Sequence, residues 1–427
     1  MSTKSIGPQE IIEKKTRYQI PCSYHFYKEP PQIAEGKMQY LFDSTGKRYT
    51  DFFAGVSVMN CGHCNPEIIG HTIDQMKRLQ HTTTIYLTQP IVDLAEKMSA
   101  VLPGDLTRSF FCMSGSEANE GALLAAKLHT NRSEFIYLEG GLHGRTHLTM
   151  SLNGIDMWRT APDIVEGTHR GASFYPDVTD PTQTLESAMD FSLKSISDIL
   201  EARKNKIAAL IVEPIQGNGG ILTPHPDYFK RLKALLEKHG VLLIVDEVQT
   251  GFARTGKMFA IEHFGVTPDL LTTAKALGNG QPIAAYSATE EVAASFTKPS
   301  ASTLGGNPVS AITSLAVIDY IQSKDLAENA KNRGEQLKEG LYRLQDKYEL
   351  IKDVRGLGLM LGAELIEEDK PADGKTDSIL ETMKEKGFLI GKNGVSRNVL
   401  AFQPPLVIDS DDVERLLKAL DETFASL

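Results

Sequence analysis

Two runs decide how this chain folds: Val241–Glu247, VLLIVDE, and Asp269–Pro282, DLLTTAKALGNGQP. Each opens with an apolar stretch of strand length. The first ends in the carboxylate of Asp246, and the second in the amine of Lys275, 29 residues later. A lysine amine can form an imine with an aldehyde cofactor, and a carboxylate can keep that cofactor's ring nitrogen protonated so that the ring draws electrons from a substrate carbon. Taken singly, the same two residues also read as a surface lysine and a helix-capping aspartate.

Working outward, Ser109–Cys112, Phe135–Leu138, Ala208–Glu213, Leu270–Thr273 and Ala284–Ala288 repeat the strand signal. Helical stretches lie between them. Ser116–His129 is rich in alanine and leucine, and Tyr228–His239 puts Tyr228, Leu232, Leu235 and Leu236 on one face before Gly240. Strands alternating with helices predict an α/β fold with a largely parallel sheet covered on both faces. Chemistry then gathers at the carboxyl ends of the strands, where Glu213, Asp246 and Lys275 fall. Met38–Gly55 reads as a hairpin turning near Ser44–Gly46. Past Val309 come a charged helix at Leu326–Asp346, paired strands in VRGLGLMLGAELI, a helix at Ser378–Lys386, a strand at Val399–Phe402 and a helix at Asp411–Phe424. The expected organisation is residues 1–55 and 310–427 in one small α+β domain, flanking a large domain of residues 56–309.

With 427 residues and 46.9 kDa, the chain exceeds one compact core. Its net charge of −10 disfavours nucleic acid and leaves small molecules as the expected partners. MSTKSIGPQEIIEKKTRYQ lacks a signal-peptide core and no apolar stretch approaches bilayer length, so no membrane association and a cytoplasmic location are expected. Cys61 and Cys64 form CGHC, yet no tryptophan precedes them and no second ligand pair stands at zinc spacing. A structural turn joining a strand-like run at VSVM to a long helix is the expectation, with no metal.

Other signals are modest one by one. Ser114, Gly115 and Ser116 open a helix, where free amides, the dipole and a glycine suit a phosphate; the same residues are an ordinary capping box, and taken alone the cap is preferred. His143 follows a strand in GGLHGRTHLTM, and Thr303 lies in STLGGNP. Each fits a structural role as well as a functional one.

Their order is specific. SGSEAN, HGRT, EPIQGNGG, DEVQTGFARTGKMFA, LTTAKALGNGQP and TLGGNP follow one another at domain-scale spacing. The chain resembles the class III aminotransferases over nearly its whole length, and MQYLFDSTGKRYTDFFAG, RLQHTTTIYLTQP and GKNGVSRNVLAFQPPLVI look most like the alanine–glyoxylate and β-amino-acid branch. The resemblance implies the type I fold of pyridoxal 5'-phosphate (PLP) transferases, with a mostly parallel seven-stranded sheet. It implies Lys275 as the Schiff-base lysine and Asp246 as partner of the pyridine nitrogen. Val248 would pack on one ring face and Gln249 reach the phenolic oxygen. Ser114, Gly115 and Ser116 would cradle the phosphate. Leu142 and His143 would border the ring, with Glu213 a nearby carboxylate of less uniform role. Thr303 would grip the phosphate of a neighbouring subunit, which implies a homodimer.

Three departures bear on substrate. Leu142 stands where an aromatic normally stacks, a loss of about 1 kcal/mol. Ala401 replaces the arginine that clamps an α-carboxylate in many relatives. Asn218 replaces the acid that holds that arginine. Arg145 matches a residue that binds a distal carboxylate, or equally forms a salt bridge to a loop acid; Arg397, four residues before Ala401, is a second candidate to reach the pocket, with a solvated loop charge the preferred reading. Val56 and Phe26 are placed at the substrate pocket by position. The expected donor is an ω- or β-amino acid, a simple amine or alanine, the acceptor pyruvate or glyoxylate, and the scheme ping-pong. Restoring arginine at Ala401 is then expected to improve use of α-keto diacids. A PLP-dependent phospho-lyase acting on an amino-alcohol phosphate is the competing enzyme. A regulatory protein without turnover is disfavoured by intact Lys275 and Asp246.

Overall fold

Alternate residues of the apolar runs bury against opposite layers, which is why the runs form a central sheet. The computed structural model describes residues 6–23, 25–161 and 164–427. Before that sheet come three antiparallel strands, β1 (Ile33–Lys37), β2 (Tyr40–Asp43) and β3 (Arg48–Asp51). The central strands are β4 (Arg108–Cys112), β5 (Glu134–Leu138), β6 (Thr168–Gly171), β7 (Ile207–Val212), β8 (Leu242–Asp246), β9 (Leu270–Thr273) and β10 (Ala284–Ala288). They form a seven-stranded sheet in the order β4-β10-β9-β8-β7-β5-β6, in which only β10 runs antiparallel to its neighbours.

Ile211, Ile244 and Leu270 pack with Ala122, Leu123 and Ala126 of the helix Gly115–Thr130. Leu210, Val212, Leu243, Val245 and Leu271 point the other way, into a core that includes Ile196, Leu200, Phe229, Leu232 and Leu236 of the helices Leu185–Ala202 and Tyr228–Lys238. This two-sided burial is the physical basis of the continuous apolar runs. The strand β6 had no such signal: THRG is an edge strand paired only with β5, so one side of its ladder is open.

The chain ends meet. A two-residue strand, Phe388–Leu389, pairs in parallel with β3, joining residue 388 to Thr50 and residue 389 to Asp51. A second antiparallel sheet is built from Ile351–Leu357, Met360–Glu367, Val399–Phe402 and Gly391–Asn393. Its first turn presses on the large sheet's loops: a Cβ on Gly358 (φ +53°) would lie 2.4 Å from the carbonyl carbon of Thr255. Only glycine fits there. Among the described residues no helix is long and apolar enough to cross a membrane.

The strand-like reading of VSVM is corrected. Ala54, Gly55, Val56 and Ser57 all have positive φ, 50° to 66°, and make one left-handed turn closed by Val58 N to Ala54 O at 2.8 Å. Asp51 starts it, accepting the Phe53 and Ala54 amides at 2.8 and 2.9 Å. The CGHC segment is a turn, as expected, leading into the helix Pro66–Arg78, with Cys61 buried and Cys64 exposed.

Candidate active site

The carboxyl ends of β4, β5, β8 and β9, with the amino end of β10, open on one edge of the sheet. A cavity of about 480 Å³ lies there. Ser114, Gly115, Ser116, Leu142, His143, Arg145, Asp246, Val248 and Lys275 line it, so most residues singled out in the sequence converge on one space.

One wall is a helix start. Ser114 caps the helix Gly115–Thr130, its hydroxyl accepting the Glu117 amide at 3.3 Å while Glu117 accepts the Met113 amide at 2.8 Å. The capping reading of Ser114 therefore holds. The first amides of a helix have no intrahelical acceptor, so Gly115 and Ser116 present donors and positive dipole to the cavity. The Ser116 hydroxyl also accepts the Arg145 amide at 3.1 Å, which fastens the HGRT loop to the helix start.

The opposite wall holds Asp246 at the last position of β8, 3% exposed. Its Oδ1 accepts the Val248 amide at 3.0 Å. Its Oδ2 accepts His143 Nδ1 at 2.9 Å and Asn119 Nδ2 at 2.8 Å. His143 Nε2 is buried and has no hydrogen-bond partner among the described residues. Lys275 sits between the walls in a strained backbone (φ +46°), two residues past β9. Burial pushes its ammonium below the usual lysine range, against the pull of Glu213 and Asp246. A larger share of neutral, nucleophilic amine follows.

Several of the residues drawn from the sequence are not among those lining the cavity. Glu213 braces it from behind, accepting the Leu142 amide at 2.8 Å and the Gly217 amide at 3.0 Å. Burial first, then the charge of Asp246, pushes the Glu213 carboxyl up from its ordinary value. Gln249 is buried beneath Gly217, where a Cβ would stand 1.8 Å from Gln249 Oε1, and accepts Gln403 Nε2 at 3.0 Å. Thr303 is exposed on its loop. Val56 stays in the left-handed turn, and Val58 lines the cavity instead. Phe26 tilts against Phe53, centroids 5.7 Å apart, beneath the Arg397 guanidinium at 5.0 Å. Arg397 is thus half-buried on an aromatic face, not a solvated charge. Ala401 is fully buried with Ile215, Ile221 and Met360, so it belongs to core packing.

Sequence reading missed Asn119, Trp158 and Ile283, which also line the cavity. Asn119 was legible in principle, one helical turn beyond Ser116 on the same face. Trp158, the chain's single tryptophan, ends a 3-10 turn, Asp156–Trp158, that no motif marks. Arg145 is exposed at the rim, and among the described residues its guanidinium makes no ion pair. The salt-bridge alternative for it is not what the structure contains.

Residues 27–424 match the family model for aminotransferase class-III. The chain belongs to this family. It is 42% identical over 423 residues to alanine–glyoxylate aminotransferase 2 homolog 2 of Arabidopsis thaliana, covering 98% of this chain and 87% of the relative. It is 38% identical to the acetylornithine aminotransferase of Methanocaldococcus jannaschii, covering 97% of this chain and 98% of the relative. A solved amine transaminase from an uncultivated Pseudomonas species, in its PLP-bound form, superposes with a TM-score of 0.90 at 28% identity, covering 96% and 98%. This class III aminotransferase therefore has the type I fold and uses pyridoxal 5'-phosphate. The residues present fit that cofactor. A Cβ on Gly115 would stand 3.0 Å from Val248 Cγ1, so the helix start and the Val248 wall approach as a phosphate-to-ring cradle requires. Asp246 would meet the ring nitrogen, Leu142 and Val248 its faces, and Lys275 its aldehyde.

Proposed function

We propose that this aminotransferase moves an amino group from an ω- or β-amino acid, a simple amine or alanine to a small keto acid such as pyruvate or glyoxylate. The observation that carries this reading is the charge inventory around the cavity. Arg145 is the arginine lining it, and the position of the usual α-carboxylate clamp is Ala401, sealed in an apolar cluster. One fixed carboxylate, or none, suits such donors better than glutamate and 2-oxoglutarate.

Bound pyridoxal phosphate supplies an aldehyde that takes up the amino group and a ring that withdraws electrons from the donor carbon. The protein's part is placement and proton transfer. Asp246, held by His143, Asn119 and the Val248 amide, keeps a fixed negative charge at the ring-nitrogen side. Lys275 Nζ, its affinity for a proton reduced by burial, would take the proton from the donor carbon and pass it to the cofactor side, so that the amino group stays behind when the keto product leaves. Arg145 at the rim receives a distal carboxylate. Donor and acceptor would use the same cavity in turn, a ping-pong scheme.

A second copy would complete the site. Ile69, Ile73 and Met76 form an exposed stripe on the helix Pro66–Arg78, continued by Ile85, Tyr86, Leu87 and Val92. Ile91 packs where a Gly306 Cβ would stand, at 2.7 Å, so the Thr303 loop with exposed Leu304 borders that apolar surface. A homodimer covering this patch would bring Thr303 toward the neighbouring phosphate.

The test is borohydride reduction of the yellow holoenzyme with peptide mapping, then spectral bleaching by single donors and measured keto-acid formation. Label at Lys275 and bleaching by ω-amino donors or amines, with pyruvate or glyoxylate restoring the spectrum, is expected. Bleaching by glutamate alone, or keto product and phosphate without an acceptor, would refute it. Thr303→Ala should weaken cofactor binding in the dimer measured by light scattering.

A further inference from the structure

We propose that Asn119 is a positioning residue for the cofactor: it fixes the Asp246 carboxylate and ties that carboxylate to the helix that opens at the phosphate cradle. Asn119 is 1% exposed and uses its whole amide. Nδ2 donates to Asp246 Oδ2 at 2.8 Å and to the His143 carbonyl at 2.7 Å. Oδ1 accepts the Thr272 hydroxyl at 2.6 Å. Two acceptors face one side of this amide, so only its NH2 satisfies them both, and Thr272 holds the carbonyl end. The orientation follows from chemistry.

The placement gives those bonds their meaning. Asp246 and Thr272 are register partners on β8 and β9. Asn119 reaches from the helix across that pair, binding one helix to two adjacent strands. Ser116 stands three residues earlier on the same face, about 4.5 Å along the axis. One rigid turn of helix therefore sets the spacing between the phosphate end of the cavity and its ring-nitrogen end. His143 receives support twice, through its carbonyl from Asn119 and through Nδ1 from the carboxylate that Asn119 holds. Without Asn119, Asp246 Oδ2 would keep only the His143 donor and the His143 carbonyl would lose its side-chain partner.

The role predicts a dependence on the ring nitrogen. A carboxylate aimed by Asn119 helps only a ligand with an N–H to offer. The protein stripped of cofactor is titrated with pyridoxal phosphate and with its analogue carrying C–H in place of the ring nitrogen, and its melting temperature is followed. Asn119→Ala is expected to weaken pyridoxal phosphate binding about 10- to 100-fold. Its affinity for the carbon analogue should stay within about threefold of wild type. Thr272→Val, which removes only the hydroxyl that orients the amide, should shift the same ratio in the same direction, and it decides the matter if Asn119→Ala does not fold. Equal losses for both ligands would overturn the proposal, because a merely structural residue gives that pattern. Unchanged pyridoxal phosphate affinity in either variant would overturn it too.

Discussion

Gly115→Ala separates what the cofactor needs from what the fold needs. Gly115 opens the helix Gly115–Thr130 in a backbone that alanine can adopt. The new Cβ would stand 3.0 and 3.1 Å from the two methyl carbons of Val248 and 3.7 Å from Ala274 Cβ. Ordinary contact begins near 3.4 Å, so Val248 must yield by a few tenths of an ångström. In the cofactor-free protein the methyl groups can swing into the cavity. The overpacking cost then stays near the low end of about 1–3 kcal/mol. It is set against about 0.4–1 kcal/mol gained by restricting the unfolded chain. The two nearly cancel, and the cofactor-free melting temperature should barely move. With the ring packed on Val248 that escape closes, and the same 1–3 kcal/mol falls on binding, roughly a 5- to 150-fold rise in the dissociation constant. Spectroscopic titration of cofactor-free protein, beside thermal unfolding with and without cofactor, reads both quantities. Affinity unchanged within twofold would refute the packing of ring on Val248. A large loss of cofactor-free stability would show that the glycine serves the fold.

Ala401→Arg places a guanidinium among Ile215, Ile221 and Met360 at a position with no solvent access, so it should lower stability by about 3 kcal/mol or more in urea unfolding and not improve 2-oxoglutarate use. Improved use of that diacid at unchanged stability would restore the expectation drawn from sequence. Arg254 is fully buried and donates to the carbonyls of Leu359 and Pro404 at 2.9 and 2.5 Å and to Asn60 Oδ1 at 2.5 Å. Arg254→Met strands three acceptors at about 1–3 kcal/mol each, and a loss under about 1 kcal/mol by chemical denaturation would refute that accounting. Glu134 is held at about 2 by hydrogen bonds from Arg203 and then His169, below its ordinary 4.5. A carboxyl lowered in the folded state contributes stability above its unfolded value, lost as pH falls from 4.5 toward 2. Glu134→Gln should flatten the acid limb of melting temperature against pH in that window, and an unaltered limb would count against it.

The inner strands of the sheet were legible because they are covered on both faces, so apolar runs marked β5 and β7 to β10 almost residue for residue; β4, at one edge, was marked by its own apolar run FFC. The signal failed at β6, where THRG buries only Gly171 and carries no apolar run. The helix Asp373–Glu385 begins five residues before the expected Ser378; Gly374 in its first turn, a poor helix former, hides that start in the sequence. Family motifs located the groups that touch the cavity but not the difference between touching and bracing. Glu213 heads the motif EPIQGNGG and Gln249 shares its motif with Asp246 and Val248, yet their side chains turn to backbone amides and to Gln403. Spacing along a chain carries no information about that turn. Ala401 was misplaced for a related reason: a strand residue shows one face or the other, and alanine fits both.

The CGHC turn shows how a misleading motif and a strained loop explain one another. Cys61 is buried, and burial raises its thiol well above the ordinary value, the reverse of what thiol exchange needs. Its amide instead donates to Asn279 Oδ1 at 2.9 Å, and Asn279 Nδ2 returns a bond to the Gly62 carbonyl at 3.1 Å. Asn279 (φ +42°) closes the short turn that begins at Lys275 (φ +46°). Left-handed residues other than glycine cost about 1–2 kcal/mol each, so a loop with two of them needs outside support. His63, between the two cysteines, supports the other strained element, its Nε2 lying 2.7 Å from the Asp51 oxygen not used by the Phe53 and Ala54 amides. The CGHC segment thus braces two strained elements at once, the left-handed turn leading to Val58 and the loop in which Lys275 and Asn279 take positive φ.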